Sequence, residues 1–438
     1  MKRVVLLLTI FILISCKQES LLQSGPMVGY SQMREVAIWV QTKKSADVKI
    51  IYYDEEHPDK KYETNKVKTE KKDGYTAHLI ADQLEPGRKY SYKLLINGVN
   101  EKINYPLEFQ TQKLWQWRTD PPEFSFVTGS CAYINEEEFD RPGTPYGGQY
   151  EIFKSIYEKK PDFMVWLGDD VYFREADWAA RSSMIKRYTH TRSLKELQPL
   201  LGSVHHYAIW DDHDFGPNNS DRSFWNKETS LEIFKLFWSN PSYGFKGMPG
   251  VTTYFEWGDA AFFMLDDRYY RTPEFRKNTD RTMLGKKQLE WLIDALCSCT
   301  QTFKFVCTGG QVINEVENWE TYSTFPEEKE KLFDSIKEEK ITGVMFLTGD
   351  RHFAEVNKME RDGTYPLYDF TLSPFTAGPN THELDENKFR VKGSHFGERN
   401  FGVFKFTGPK NNRNMIVTVF NVKGDVLYSQ TINENELK

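Results

Sequence analysis

Apolar and polar positions alternate in short runs from about residue 25 to residue 111, then change character after residue 122. At 36–40, 48–53, 75–80, 90–96 and 107–111 the runs are short, rich in β-branched and aromatic residues, and alternating. That pattern predicts strands with one buried face. Asp73-Gly74, Glu85-Pro86-Gly87 and Asn97-Gly98 separate them with turn residues. The spacing predicts a small all-β sandwich over 17–113. A polar connector holding Trp115, Trp117 and Pro121 follows. Beyond it, nearly continuous apolar strands at 124–128, 163–167, 207–210, 260–265, 304–308 and 344–348 alternate with amphipathic helices at 149–159, 181–201, 286–296 and 327–339. Strands of that kind are buried on both faces, so 121–438 reads as an α/β domain. The tail at 402–428 returns to alternating strands around a Lys423-Gly424-Asp425 turn. The aromatics Phe224, Trp225, Phe234, Phe237, Trp238, Tyr243 and Phe245 of 220–250 could line an apolar pocket or pack as helix core, and their spacing favours core.

Composition narrows this picture. With 438 residues, 39% hydrophobic and 27% charged, the chain has the profile of a folded protein rather than a disordered one. A net charge of −6 without a basic block excludes nucleic acid as an expected partner. Lys2 and Arg3 precede an apolar run at 4–14, then Ser15-Cys16. This predicts a secretory signal over 1–16, too short to span a bilayer as a helix. Leu13-Ile14-Ser15-Cys16 also fits a bacterial lipobox, in which a lipidated Cys16 becomes the first residue; a plain signal peptide is the alternative. The expectation is export to the cell envelope with attachment through acyl chains on Cys16, as a monomer. Of the other cysteines, Cys297 or Cys299 could reach Cys307, whereas Cys131 has no obvious mate.

The chemistry gathers where the apolar strands end. They run into Gly129-Ser130-Cys131, Gly168-Asp169-Asp170-Val171-Tyr172, Asp211-Asp212-His213-Asp214, Asp266-Asp267-Arg268, Thr308-Gly309-Gly310-Gln311 and Gly349-Asp350-Arg351-His352. In α/β sheets, ligands bind beyond the carboxyl ends of the strands. Three carboxylates within four residues, with an imidazole among them, repel one another unless cations neutralise them. Carboxylate oxygens suit Ca, Mg or Mn, while a thiolate, a phenolate and an imidazole suit Fe or Zn, so the set predicts a site of mixed metals.

Gly-Ser-Cys131, Gly-Asp169-x-x-Tyr172, Trp-Asp-Asp212-His213-Asp, Gly-Asp350-x-His352 and Leu265-Asp-x-Arg268-x-x-Arg271 together resemble the alkaline phosphatase D family of calcineurin-like metallophosphatases. Residues 84–92 are in turn similar to the Leu-x-Pro-Gly turn and Tyr-x-Tyr strand of fibronectin type III-like domains. The resemblance implies a two-sheet metallophosphatase sandwich flanked by helices and preceded by a fibronectin III-like sandwich. It implies a ferric ion held by Cys131, Tyr172 and His352, with Asp169 bridging to its neighbours. It also implies a second metal, calcium, on Asp212 and Asp350, with Asn218 or Asn219 adding an oxygen; Mn, Mg or Zn are alternatives. Phosphoester hydrolysis would follow by in-line attack of a metal-bound hydroxide on a small-molecule monoester or diester. His213 would stabilise the transition state or protonate the leaving group, and Asp170, Asp211 and Asp214 would orient ligands from behind. Arg268 and Arg351 would be either phosphate clamps or surface salt bridges. The sequence departs from simpler metallophosphatases at Gln311, where those place a ligand histidine; Gln311 could instead donate to phosphate or water. A phosphodiesterase or phospholipase D-like enzyme of the same fold is the first alternative, and a non-catalytic surface-binding lipoprotein the second.

Overall fold

A computed structural model describes residues 19–316, 321–381 and 386–438. The signal segment and Cys16 lie outside the described residues. Near the N-terminus, Leu22–Ser31, Val36–Thr42 and Thr76–Ala81 form one antiparallel sheet, and Lys61–Glu63, Asp47–Asp54, Lys89–Ile96 and Val99–Asn100 form the body of a second. Val36, Ile38, Val40, Ile50, Tyr52, Leu79, Tyr90 and Leu94, from strands of both sheets, fill one apolar core. Alternation with period two produces this arrangement, because every second side chain faces the partner sheet.

Two six-stranded sheets follow. The first runs His205–Ile209, Phe163–Leu167, Phe124–Gly129, Asn400–Thr407, Asn414–Asn421, Val426–Asn433. Its first three strands are parallel to one another, and the tail adds antiparallel strands beside Phe124–Gly129. The second runs Thr253–Trp257, Ala260–Met264, Phe303–Cys307, Val344–Thr348, Leu367–Thr371, Glu355–Met359, parallel in its middle four strands. Aromatic rings join the facing sheets: Phe126 lies 5.1 Å from Phe262 and Phe370 5.2 Å from Phe404, both edge-on. Each such pair adds about 0.5–1.5 kcal/mol beyond the area it buries. The parallel strands of both sheets deliver their carboxyl ends to one rim.

The predicted strands stand, and Leu22–Ser31, Thr253–Trp257, Glu355–Met359 and Leu367–Thr371 are added to them. The single helix expected over 181–201 is two, Arg181–Arg192 and Gln198–Ser203, because residues 193–197 turn and Pro199 begins a new helix without an N–H to continue the old one. In 220–250, Phe234, Phe237 and Trp238 are fully buried around helix Lys227–Phe237, so that segment is core, with Trp225 left 72% exposed. Cys131, Cys297, Cys299 and Cys307 are all free thiols. Cys297 sits exposed near the end of a helix and Cys299 is half-buried just beyond it, while Cys307 is buried in a central strand, and neither is bonded to Cys307.

Candidate metal centre

Three of the four ligand-bearing loops leave their strands through an unusual backbone turn, whereas Asp211 is extended and leads into the helical turn Asp212–Phe215. Cys131 (φ 63°), Asp169 (53°), Asp350 (63°) and His352 (58°) all adopt the left-handed conformation that side chains with a Cβ disfavour. Holding several non-glycine residues there costs of order 1–3 kcal/mol each and is typical of functional sites. Glycines give these turns room. A Cβ on Gly309 would lie 2.3 Å from Cγ of Asp211, and one on Gly168 would lie 2.6 Å from Cβ of Asp211.

The turns bring donor atoms together in three groups, within each of which those atoms lie no more than 4.8 Å apart. These are Cys131, Asp169 and His352; Asp169, Asp212 and His213; and Asp169, Asp211, Asp212 and Asp350. Asp169 belongs to all three. Cys131 Sγ stands 3.6 Å from Asp169 Oδ2 and accepts from Ser373 Oγ at 3.2 Å. Tyr172 OH stands 3.2 Å from His352 Nε2, and the Tyr172 ring stacks on His213 at 4.2 Å. His352 Nδ1 faces the Gly378 carbonyl at 2.7 Å, so that nitrogen carries the proton and Nε2 keeps its lone pair toward Tyr172.

The electrostatics of these buried groups call for positive charge. Burial pushes the Cys131 thiol up to about 12, with Asp350 adding to the rise. Burial and the neighbouring charge of Asp212 push Asp169 well above the carboxylate range, and burial raises Asp211 and Tyr172 as well. Burial would raise Asp212 too, but His213 and Arg268 outweigh it and hold that carboxyl at about 2. Asp211 Oδ2 and Asp212 Oδ1 are buried with no hydrogen-bond partner. Buried acceptors without donors are what a cation satisfies, and a cation would also reverse the rise on the thiol, phenol and carboxyls. The residues present therefore fit metal binding: sulfur, phenol and imidazole on one side of Asp169, carboxylates on the other.

Several sequence expectations change in detail. Asp211 was expected only to orient others, but it stands among the candidate donors, and Arg268 Nε donates to it. Arg268 is fully buried, so it is neither a surface salt bridge nor an open phosphate clamp: it fixes Asp211. Asp214 accepts from the backbone N–H groups of Asp170, Val171 and Asp211, tying two ligand loops together. Asn219 rather than Asn218 touches Asp212, through its backbone N–H; Asn218 is exposed and donates to Asn219 Oδ1 at 2.7 Å. Gln311 is fully buried with its amide on Thr371 Oγ1 at 2.8 Å, so it has no reach to phosphate or water in the site. Arg351 lies with its guanidinium 5.7 Å from the Phe353 ring centroid and, among the described residues, has no carboxylate at ion-pair distance. Sequence reasoning missed Ser130 and Ser373, which flank the Cys131 sulfur, and Tyr146, whose hydroxyl lies 3.1 Å from His352 Nδ1. Only the Gly-Thr-Pro-Tyr-Gly-Gly composition of the Tyr146 loop marks it, and that reads as an ordinary turn.

Comparison with known proteins agrees with this geometry. Residues 246–412 match the family model described as PhoD-like phosphatase, and residues 19–114 match one described as a domain of unknown function. Alkaline phosphatase D of Bacillus subtilis is 22% identical over 340 residues, 66% of this chain and 55% of that protein. The chain thus spans about half the length of that curated relative. A solved structure of PhoD superposes with a TM-score of 0.75 at 18% identity, covering 94% of this chain and 89% of the other. A purple acid phosphatase from yellow lupin (Lupinus luteus) seeds superposes with a TM-score of 0.69 at 12% identity, covering 94% and 74%. These likenesses establish the metallophosphatase fold.

Proposed function

We propose that this chain, which belongs to the PhoD-like phosphatase family, is a metal-dependent phosphoester hydrolase acting at the cluster centred on Asp169. The observation that carries the proposal is the convergence of three donor groups on that one carboxylate at the rim where the parallel strands end. Cys131, Tyr172 and His352 would hold a ferric ion, and Asp212 and Asp350 a calcium ion, with Asp169 between them; the donor types on each side support that division. Metals bound there would supply Lewis acidity toward phosphoryl oxygens and lower the pKa of water. The chain supplies the rest. His213 has its backbone N–H on Asp169 Oδ1 at 3.2 Å and its ring against Tyr172, which fixes the imidazole over the cluster to hand a proton to the departing alkoxide. Arg351 is the better candidate of the two arginines for phosphate oxygens, since Arg268 is held by Asp211.

The same reading includes an exported enzyme tethered through acyl chains on Cys16, supported by the composition of 1–16. Among the described residues no helix is long and apolar enough to cross a membrane. The test is release of p-nitrophenol from its phosphate monoester and from its bis-ester by signal-free protein, with and without EDTA and added calcium. Monoester turnover lost in EDTA and restored by metal is expected. Preference for the bis-ester would move the assignment to a phosphodiesterase, and no turnover of either by metal-loaded protein would defeat it.

A further inference from the structure

A second constellation lies next to the metal cluster without being part of it. Asn219, whose N–H reaches Asp212, is followed three residues later by Arg222, so the two Cα atoms are no more than about 11 Å apart. Arg222, Lys227, Tyr269, Tyr270, Thr282 and Lys286 wall a cleft of about 550 Å³, a volume suited to a small organic ligand. No carboxylate lines it. Among the described residues none of its three cations has an acidic side chain at ion-pair distance. Glu228, adjacent in sequence, accepts from the Tyr269 hydroxyl behind the wall; its single negative charge is outnumbered by the three cations. On a chain of net charge −6, three unpaired cations around one concavity are a local reversal of sign.

The cleft is also built rather than accidental. Lys227 Nζ donates to the Arg222 carbonyl at 3.0 Å and lies 4.5 Å from the Tyr269 ring centroid, which holds its charge at the wall. Tyr270 OH donates to the Pro249 carbonyl at 2.6 Å, and the Arg222 N–H to the Arg271 carbonyl at 3.0 Å. The buried Glu328 carboxylate accepts from the backbone N–H groups of Met283, Leu284 and Gly285, which fixes the floor beneath Lys286. The rings that line the cleft itself are Tyr269 and Tyr270; Trp225 and Phe275, 72% and 87% exposed, lie on the same two chain segments.

Resting on the phosphoester-hydrolase reading, we propose that this cleft binds a second anionic group of the substrate. The preferred substrates would then be organic phosphoesters whose leaving group carries a further phosphate, with a ring between the two. Phosphate release from adenosine 3′,5′-bisphosphate and from adenosine 5′-monophosphate, with p-nitrophenyl phosphate as a third substrate, tests this on the metal-loaded enzyme. The bisphosphate is expected to exceed the monophosphate in kcat/KM by tenfold or more, chiefly through KM. In the Arg222→Gln/Lys227→Gln/Lys286→Gln variant that preference should fall at least fivefold; Lys286→Gln, at an exposed position, serves if the triple variant does not fold and should lower it about twofold. Equal kcat/KM for the two nucleotides in an enzyme that turns over p-nitrophenyl phosphate overturns the inference alone. A variant that loses both nucleotides in equal proportion does so too. No turnover of any of the three overturns the hydrolase reading and the inference with it.

Discussion

At the scale of residues, the account turns on how few side chains set the chemistry and how strongly burial constrains them. Tyr172 is the clearest case. It is nearly fully buried, its hydroxyl faces His352 Nε2, and burial holds its phenol above the usual range, so only a strong Lewis acid would make it a phenolate. A ferric phenolate absorbs visible light. Tyr172→Phe is therefore expected to remove the phenolate band from the visible spectrum of iron-loaded protein, leaving the contribution of the Cys131 thiolate, while the far-ultraviolet circular dichroism is unchanged; an unaltered visible spectrum would remove Tyr172 from the iron site. Which residues were legible follows from the same physics. Cys131, Asp169, Asp212, Asp350 and His352 could be picked out because clusters of ligand-type side chains recur at the carboxyl ends of successive apolar strands, where α/β sheets bind ligands, in motifs that resemble those of a metallophosphatase family. Arg268 and Gln311 were misjudged because a sequence does not reveal that a polar side chain is fully buried and already partnered. Ser373 and Tyr146 come from loops distant in sequence, and only tertiary closure sets them beside Cys131 and His352.

At the scale of elements, continuous apolar runs announced six of the seven parallel strands, whereas Leu367–Thr371, interrupted by Asp369, and the edge strands Thr253–Trp257 and Glu355–Met359 carry too much polarity to stand out. What holds the layers in register is equally hidden in the sequence. Arg413, on the turn between Asn400–Thr407 and Asn414–Asn421, reaches Asp259, on the turn between Thr253–Trp257 and Ala260–Met264 of the other sheet, with two parallel bonds of 2.9 and 3.0 Å, and also bonds the Gly408 and Pro122 carbonyls. Both partners are almost fully buried. Removing one partner of such a pair strands the other charge, so Arg413→Met should lower unfolding stability by about 3–5 kcal/mol in urea denaturation. A loss under about 1 kcal/mol would mean the pair does not tie the sheets.

At the scale of the whole molecule, the N-terminal sandwich is fastened to the larger fold rather than hung from it. Met27 and Trp39 belong to the same apolar cluster as the two large sheets, and Trp39 Nε1 donates to the Leu236 carbonyl at 2.8 Å. Tyr30 N–H reaches the Ser239 carbonyl at 3.0 Å, and Gln110 N–H reaches His205 Nε2 at 3.1 Å. The sandwich thus braces helix Lys227–Phe237 and strand His205–Ile209, the second of which leads directly into Asp211 and Asp212. An acyl tether at Cys16 would then anchor the whole molecule a few residues before its first strand, Leu22–Ser31. Full-length protein is expected to enter the detergent-rich phase on Triton X-114 separation and Cys16→Ser the aqueous phase; identical partitioning of the two would refute the tether.

The most direct measurement of the central claim compares wild-type and Asp169→Asn protein, side by side, for metal content and for hydrolysis of p-nitrophenyl phosphate. If three donor groups converge on Asp169 to form one catalytic centre, the variant keeps its fold, loses bound metal and falls by at least about a hundredfold in rate, or about 2.7 kcal/mol of transition-state stabilisation. A variant that retains more than about a tenth of the wild-type rate, a loss under about 1.4 kcal/mol, would contradict the account.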